Sequence, residues 1–292
     1  MNILLFLPLF ILFSFLAFYV PGRVVLGEQK NLSKLGLFTT SFILGIVLWG
    51  WQGYVFGYLQ LRWLTYAYLL IFLAVFIKKK CFLFKFPKIQ FNKIDLITLS
   101  IVIIGIFGQV IPFIKTGLIS SEGLFIGAYN ACDHIWHAGL AQEIATRFPP
   151  NEPGLSGIAL ANYNFWFHLV TGEFSRVFHL PLLTVQFAGL YPMASILLAI
   201  IGYVFAVSVY NSKFFVRIFL FFLFFSGDAI GWLFSILNRN LILNMSQGLD
   251  DAAKFMDTPG YGFSVLIALA AFYLIFKNKQ NFFASSHKHS NF

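Results

Sequence analysis

The chain has 292 residues, of which 59% are hydrophobic, 20% aromatic and only 11% charged, and its mean hydropathy is +0.80. A water-soluble domain does not tolerate that composition, so the sequence indicates an integral membrane protein. The net charge of +9 therefore does not indicate nucleic-acid binding, because excess Lys and Arg in membrane proteins usually lie in cytoplasmic loops.

The apolar residues fall in blocks of about 20, the length of a helix that crosses a bilayer, rather than in alternating strands of about ten residues. We therefore predict an all-α integral membrane protein forming one polytopic domain over residues 1–292. About seven transmembrane helices are predicted in chain order, at residues 3–20, 37–58, 63–77, 96–113, 183–209, 218–236 and 263–276.

Two longer segments separate these spans, at residues 114–182 and 237–262. A loop as long as the first is usually functional or separately structured. Within it, residues 133–147 predict a short helix that stops at the Pro149-Pro150 pair. Residues 163–178, with aromatic side chains throughout, predict a second helix that lies in the membrane interface.

The distribution of basic residues predicts the orientation. One set of alternate loops carries 14 of the 20 Lys and Arg residues and the other set carries 6, so the first set is predicted to be cytoplasmic. This places the N-terminus and both long loops outside, in a multi-pass protein of the plasma membrane. Most carboxylates then face outward, and Cys81 and Cys132 lie on opposite faces, where they cannot pair.

The first long loop begins with "DHIWH". On a helix, Asp133 and His137 are four residues apart and His134 and His137 three apart, so their side chains can converge. That spacing suits a carboxylate base oriented by an imidazole, or a divalent metal site. The alternative is that Asp133 caps a helix while the histidines lie at the level of the lipid headgroups. The spacing is not HExxH, which disfavours a zinc protease.

Other polar and aromatic residues allow two interpretations each. Tyr163, Trp166 and His168 could line a sugar site or belong to an aromatic belt, and composition favours the belt. Asp228 falls within the sixth span, where it could face a cavity, unless the span is displaced and leaves it at the outer surface. Arg147 could neutralise a lipid phosphate or act as a snorkelling anchor, as could Arg176.

The segment "DHIWH" followed by "RFPPNEPGLSGIALANYNFWFHL" resembles the corresponding part of polytopic proteins in the GT-C glycosyltransferase superfamily, and is most similar to its bacterial and archaeal YYY-type branch. In two places of the YYY signature this chain has Asn164 and Phe165. The resemblance covers about residues 125–182 and depends mostly on Asp133, Phe148, Pro149, Pro150, Pro153, Gly157, Asn162 and Tyr163.

The resemblance implies an enzyme that takes a sugar from a polyprenyl-phosphate donor and transfers it to an acceptor hydroxyl on the extracytoplasmic side. It implies that Asp133 is a base or metal ligand, and it favours Tyr163 and His168 as site residues. Because such families usually have longer chains, it also implies a truncated chain. Two other functions stay open: a transporter that uses Asp228 and the outer acids, and a catalytically inactive membrane scaffold.

Overall fold

The computed structural model describes residues 3–81, 95–113, 115–120, 123–126, 131–155, 157–225 and 259–289. These residues are mostly helical. The helices are α1 (Ile3–Leu26), α2 (Lys34–Tyr58), α3 (Leu64–Lys78), α4 (Leu96–Val110), α5 (Ala131–Thr146), α6 (Trp166–Phe178), α7 (Thr184–Val209), α8 (Lys213–Phe225) and α9 (Pro259–His289), and two short antiparallel strands, β1 (Ile119–Ser120) and β2 (Gly123–Leu124), lie between α4 and α5.

Four helical segments among the described residues are long and apolar enough to cross a membrane. They are α1, α2, α7 and the Gly260–Lys279 part of α9, with 20 to 26 residues each. The helices at the third and fourth predicted spans, α3 and α4, have 15 residues each, and the sixth predicted span continues outside the described residues. Helix length is therefore compatible with a membrane protein, whereas the predicted total of seven spans is not confirmed.

Side-chain caps explain where two of these helices begin. The Ser33 hydroxyl accepts a hydrogen bond from the Gly36 amide at the start of α2, at 3.0 Å. The Asp95 carboxylate accepts one from the Thr98 amide at the start of α4, at 3.1 Å. Each cap pairs an amide that has no partner within its own helix.

Prolines account for the irregular turns in α1 and α7. Both helices contain a π-helical stretch, at Phe15–Tyr19 and at Thr184–Leu190. Each stretch lies just before a proline, Pro21 or Pro192. A proline has no amide hydrogen and its ring clashes with the carbonyl four residues earlier, so the wider turn accommodates it within a continuous helix.

The core forms where α2, α6 and α7 pack together and is rich in aromatic rings. Trp49 of α2 stacks on Phe178 of α6, with ring centroids 6.0 Å apart. Every residue of α6 from Phe167 to Ser175 is buried. The predicted helix at residues 163–178 begins instead at Trp166, and other parts of the protein enclose most of it. Its position at the membrane interface stays a prediction.

The loops follow the two sets that the charge count distinguishes. Asp95 and Arg217, both from the predicted cytoplasmic set, form an ion pair at 2.9 Å. Arg62 and Glu173, both from the predicted outer set, also form an ion pair. Each of these ion pairs thus joins loops of the same set. Which of the two sets faces the cytoplasm stays a prediction.

Candidate functional site

The site is built on the contact between α5 and α6. A Cβ atom added to Gly172 of α6 would lie only 2.5 Å from the Ala141 carbonyl oxygen of α5, so this glycine allows the two backbones to approach closely. His137 and His168 each lie one helical turn before these contact residues. The close contact therefore brings the two imidazoles together.

His137 and His168 form an imidazole pair. Their Nδ1 and Nε2 atoms, respectively, are 2.8 Å apart, and the rings stack with centroids separated by 4.9 Å. Burial, and secondarily the neighbouring His137, lowers the pKa of His168 from 6.5 to about 3. His168 is therefore neutral at physiological pH, and one ring donates the shared hydrogen bond while the other accepts it.

Tyr163 completes what we call the histidine cluster: His137, His168 and Tyr163. The Tyr163 hydroxyl is 3.5 Å from His137 Nδ1, and its ring lies 5.7 Å from that of His168. Burial raises the pKa of Tyr163, and the negative charges of Asp133 and Glu152 raise it further. Both carboxylates therefore lie close enough to affect the phenol electrostatically.

Glu152 is held at the cluster by a tryptophan and by its own loop. Trp136 Nε1 donates a hydrogen bond to Glu152 Oε1 at 2.7 Å, and the Trp136 ring packs against Tyr163. The Glu152 amide bonds to the Ile158 carbonyl at 2.8 Å, which folds the proline-containing loop back on itself. That loop thus contributes a carboxylate beside the cluster.

Asp133 and His134 lie on different sides of α5. The Asp133 side chain is exposed in the first turn, where a negative charge is favourable at the positive end of the helix dipole. His134 is 1% exposed and packs between the rings of Phe113 and Phe187. Of the three residues predicted to converge, His134 packs into the core, and His137 contacts His168, which was not part of that prediction.

A cavity of about 350 Å³ lies beside the cluster. We call it the aromatic cavity. This volume falls within the usual range for small-molecule sites. Trp166 and Tyr163, two of the predicted site residues, line it together with Trp51, Tyr54, Asn164 and Phe165.

The remaining predicted site residues lie elsewhere. Arg147 is largely exposed and pairs with Glu143 at 3.1 Å. Asp228 lies outside the described residues. Within the part of the chain that the structure describes, no three His, Cys, Asp or Glu side chains are grouped so that they could hold a metal ion, and we assign no step to a metal.

Glu173 forms a buried ion triad with Arg62 and Arg176. Its side chain is 1% exposed and pairs with both guanidinium groups, and Arg62 also donates to the Ile144 carbonyl at 2.7 Å. Burial lowers the pKa of Arg62, and Glu173 opposes that shift. Arg176, predicted as a lipid contact or snorkelling anchor, is instead an internal ion-pair partner, and the triad fastens the α2–α3 turn to α5 and α6.

Sequence reasoning missed Glu152, Trp51 and Tyr54 as residues of this region. One face of α5 consists of small residues at intervals of three and four, namely Ala138, Ala141 and Ala145. Such a face is typical of a helix that packs closely against another. That face indicates a close helical partner. It does not indicate which segment supplies it.

Comparison with protein-family models, with curated protein sequences and with solved structures gave no match to this chain.

Proposed function

We propose that this protein is a membrane glycosyltransferase that moves a sugar from a polyprenyl-phosphate donor to an acceptor hydroxyl at the histidine cluster. One observation carries the proposal. Titratable groups from two separate helices and a loop, namely His137, His168 and Tyr163, meet beside a cavity with aromatic walls. Aromatic rings suit the apolar faces of a sugar or an isoprenoid chain.

In the proposed reaction, the acceptor oxygen attacks the anomeric carbon while the bond from that carbon to the phosphate oxygen breaks. Polyprenyl phosphate leaves with the electron pair. The acceptor proton passes to the Asp133 carboxylate, which is exposed on the same helix as His137 and four residues before it. A base of this kind contributes typically 10²- to 10⁴-fold to a rate.

The imidazole pair has a positioning role in this proposal. His168 is buried and neutral, so it fixes the orientation of His137 through the 2.8 Å contact without adding charge. His137 then presents a hydrogen-bonding group to the donor. Tyr163 extends this polar surface toward the aromatic cavity.

The test is a transfer assay on the full chain in nanodiscs, with radiolabelled polyprenyl-phosphate hexoses as donors. We expect Asp133→Asn to lower the rate at least about a hundredfold. Glu143→Gln is the matched control, because Glu143 is a carboxylate on the same helix that pairs with Arg147 instead. A wild-type rate in Asp133→Asn would rule out the proposed base.

The same preparation separates the other functions. Solute flux in proteoliposomes that Asp228→Asn abolishes, without sugar transfer by the wild type, would support a transporter. If the wild type shows no solute flux and no sugar transfer, that result would support the catalytically inactive scaffold.

A further inference from the structure

A second cavity, of about 700 Å³, lies where the ends of α1 and α3 meet the start of α2. We call it the basic pocket. Five cationic side chains line it against one carboxylate, that of Glu28, which leaves a formal excess of four positive charges. The cationic residues are Arg23, Lys30, Lys34, Lys79 and Lys80.

Close packing of α1 on α2 fixes Arg23 at this pocket. A Cβ atom on Gly22 would lie 1.8 Å from the Ser41 carbonyl oxygen, and one on Gly45 would lie 1.6 Å from the Phe18 carbonyl oxygen. These two glycines allow the backbones to touch. Arg23, the next residue after Gly22, is consequently 5% exposed.

The charge of Arg23 is not neutralised by a carboxylate. Its Nη1 atom donates to the Gly27 carbonyl, and the Tyr19 hydroxyl lies near the guanidinium. Its Nε atom has no hydrogen-bond partner among the described residues, and no carboxylate among them forms an ion pair with it. A buried guanidinium surrounded by lysines is costly unless an anion joins it.

We propose that the basic pocket binds the phosphate of an acidic phospholipid headgroup. A phosphate accepts several charge-assisted hydrogen bonds from Arg and Lys together. The surroundings favour a lipid over a free anion, because Val25, two residues after Arg23, and Ile77, two residues before Lys79, are each more than half exposed. The exposed apolar face of α3, including Leu70 and Ile71, would contact the acyl chains.

The basic pocket is remote from the proposed catalytic site, so this inference does not depend on the proposed function. Lys34 and Trp51 lie 17 residues apart on α2, which corresponds to about 25 Å along a helix. A phospholipid held here would fix the position of α1, α2 and α3 relative to the membrane surface.

The test uses the full chain in nanodiscs of phosphatidylcholine mixed with phosphatidylglycerol. Native mass spectrometry then measures which lipid stays bound to the protein after the protein is released from the nanodisc. We expect preferential retention of phosphatidylglycerol and a loss of about thirtyfold in Lys79→Gln/Lys80→Gln, since each basic residue near an anionic lipid contributes roughly fivefold. Both lysines are exposed, so this variant is expected to fold. Arg23→Gln should also lower retention.

Lys213→Gln/Lys279→Gln is the matched control, because it removes the same charge from residues that do not line the pocket. We expect its retention to fall less than threefold. An equal loss in both double variants would overturn the proposal and indicate a generally basic surface. If inorganic phosphate stabilises the protein in pure phosphatidylcholine as much as phosphatidylglycerol does, the lipid assignment is wrong and the ligand is free phosphate.

Discussion

The histidine cluster and the basic pocket lie toward opposite ends of α2, and they differ in whether the buried charges nearby are paired with opposite charges. Near the cluster, the buried carboxylate Glu173 is paired with two arginines, and buried His168 is neutral. At the basic pocket, buried Arg23 has lysines around it and no carboxylate partner among the described residues. One end is internally balanced and the other requires an external anion, which indicates that the two ends have different tasks.

The largest predicted effect concerns the balanced end. Glu173→Gln should lower the free energy of unfolding by about 3 kcal/mol, because it leaves two partly buried guanidinium groups without their counter-charge. Denaturant unfolding in detergent, followed by tryptophan fluorescence, measures this change. Glu143→Gln, which breaks an exposed pair with Arg147, should cost less than about 1 kcal/mol. Equal losses in the two variants would show that the triad has no special structural role.

The next effect concerns the packing beneath the basic pocket. Gly22→Ala should lower the free energy of unfolding by about 1–3 kcal/mol, because the new methyl group collides with the backbone of α2. It should also lower phosphatidylglycerol retention by displacing Arg23. Gly260→Ala is the control, since a Cβ atom there meets nothing within 4 Å. Unfolding and lipid retention are measured on the same samples, and unchanged values for Gly22→Ala would contradict the close contact.

The pH dependence of stability tests the state of His168. Because its pKa is lowered from 6.5 to about 3 in the folded protein, the unfolded chain binds the proton more readily. The contribution of His168 to stability is therefore present above pH 6.5 and is lost as the pH falls toward 3. Over that range the free energy of unfolding falls by up to about 1.4 kcal/mol per pH unit. Unfolding measured across that range should show a shallower slope in His168→Asn.

His179→Asn provides the comparison for this slope. His179 is exposed and has a φ of 52°, a conformation that asparagine tolerates. Its substitution should leave the wild-type slope intact. A shallower slope in His179→Asn together with an unchanged one in His168→Asn would show that His168 is not the buried neutral group.

The smallest effect is expected at the Asp95–Arg217 pair. Burial raises the pKa of Asp95, but hydrogen bonds from Thr98 and Arg217 outweigh it and lower the value from 3.8 to about 2. The resulting stabilisation is present above pH 3.8 and is lost as the pH falls through 2.

Because the pair is partly exposed, Asp95→Asn should lower the free energy of unfolding by less than about 1 kcal/mol at neutral pH. Asparagine keeps the helix cap, so the loss should equal that of Arg217→Gln and should shrink in high salt. Denaturant unfolding at two salt concentrations measures it. A loss that does not change with salt would show that the ion pair is not responsible for it.

The sequence predicts the individual helices better than it predicts their partners. The expected spans at residues 37–58 and 63–77 differ by at most three residues from Lys34–Tyr58 and Leu64–Lys78, because apolar runs and caps are local signals. The burial of α6 was missed, because Glu173 and Arg176 look like surface residues until their partners are known. Arg62 lies 111 residues from Glu173, and no local pattern relates them.

The candidate site shows the same division. The spacing of Asp133 and His137 predicts a polar site on α5, and the family resemblance predicts Tyr163 and His168 as residues of that site. That His137 meets His168, 31 residues away, depends on how α5 and α6 pack. The same packing directs His134 into the core, although it is only three residues from His137.

The most direct test of the central claim is a double-mutant cycle on the sugar-transfer rate, with His137→Gln, His168→Gln and the double variant in nanodiscs. If the two imidazoles act as one unit, each single variant loses most of the rate and the double variant loses little more than either. Losses that multiply would show two independent residues. Wild-type rates in both single variants would show that the imidazole pair is not the site of the reaction.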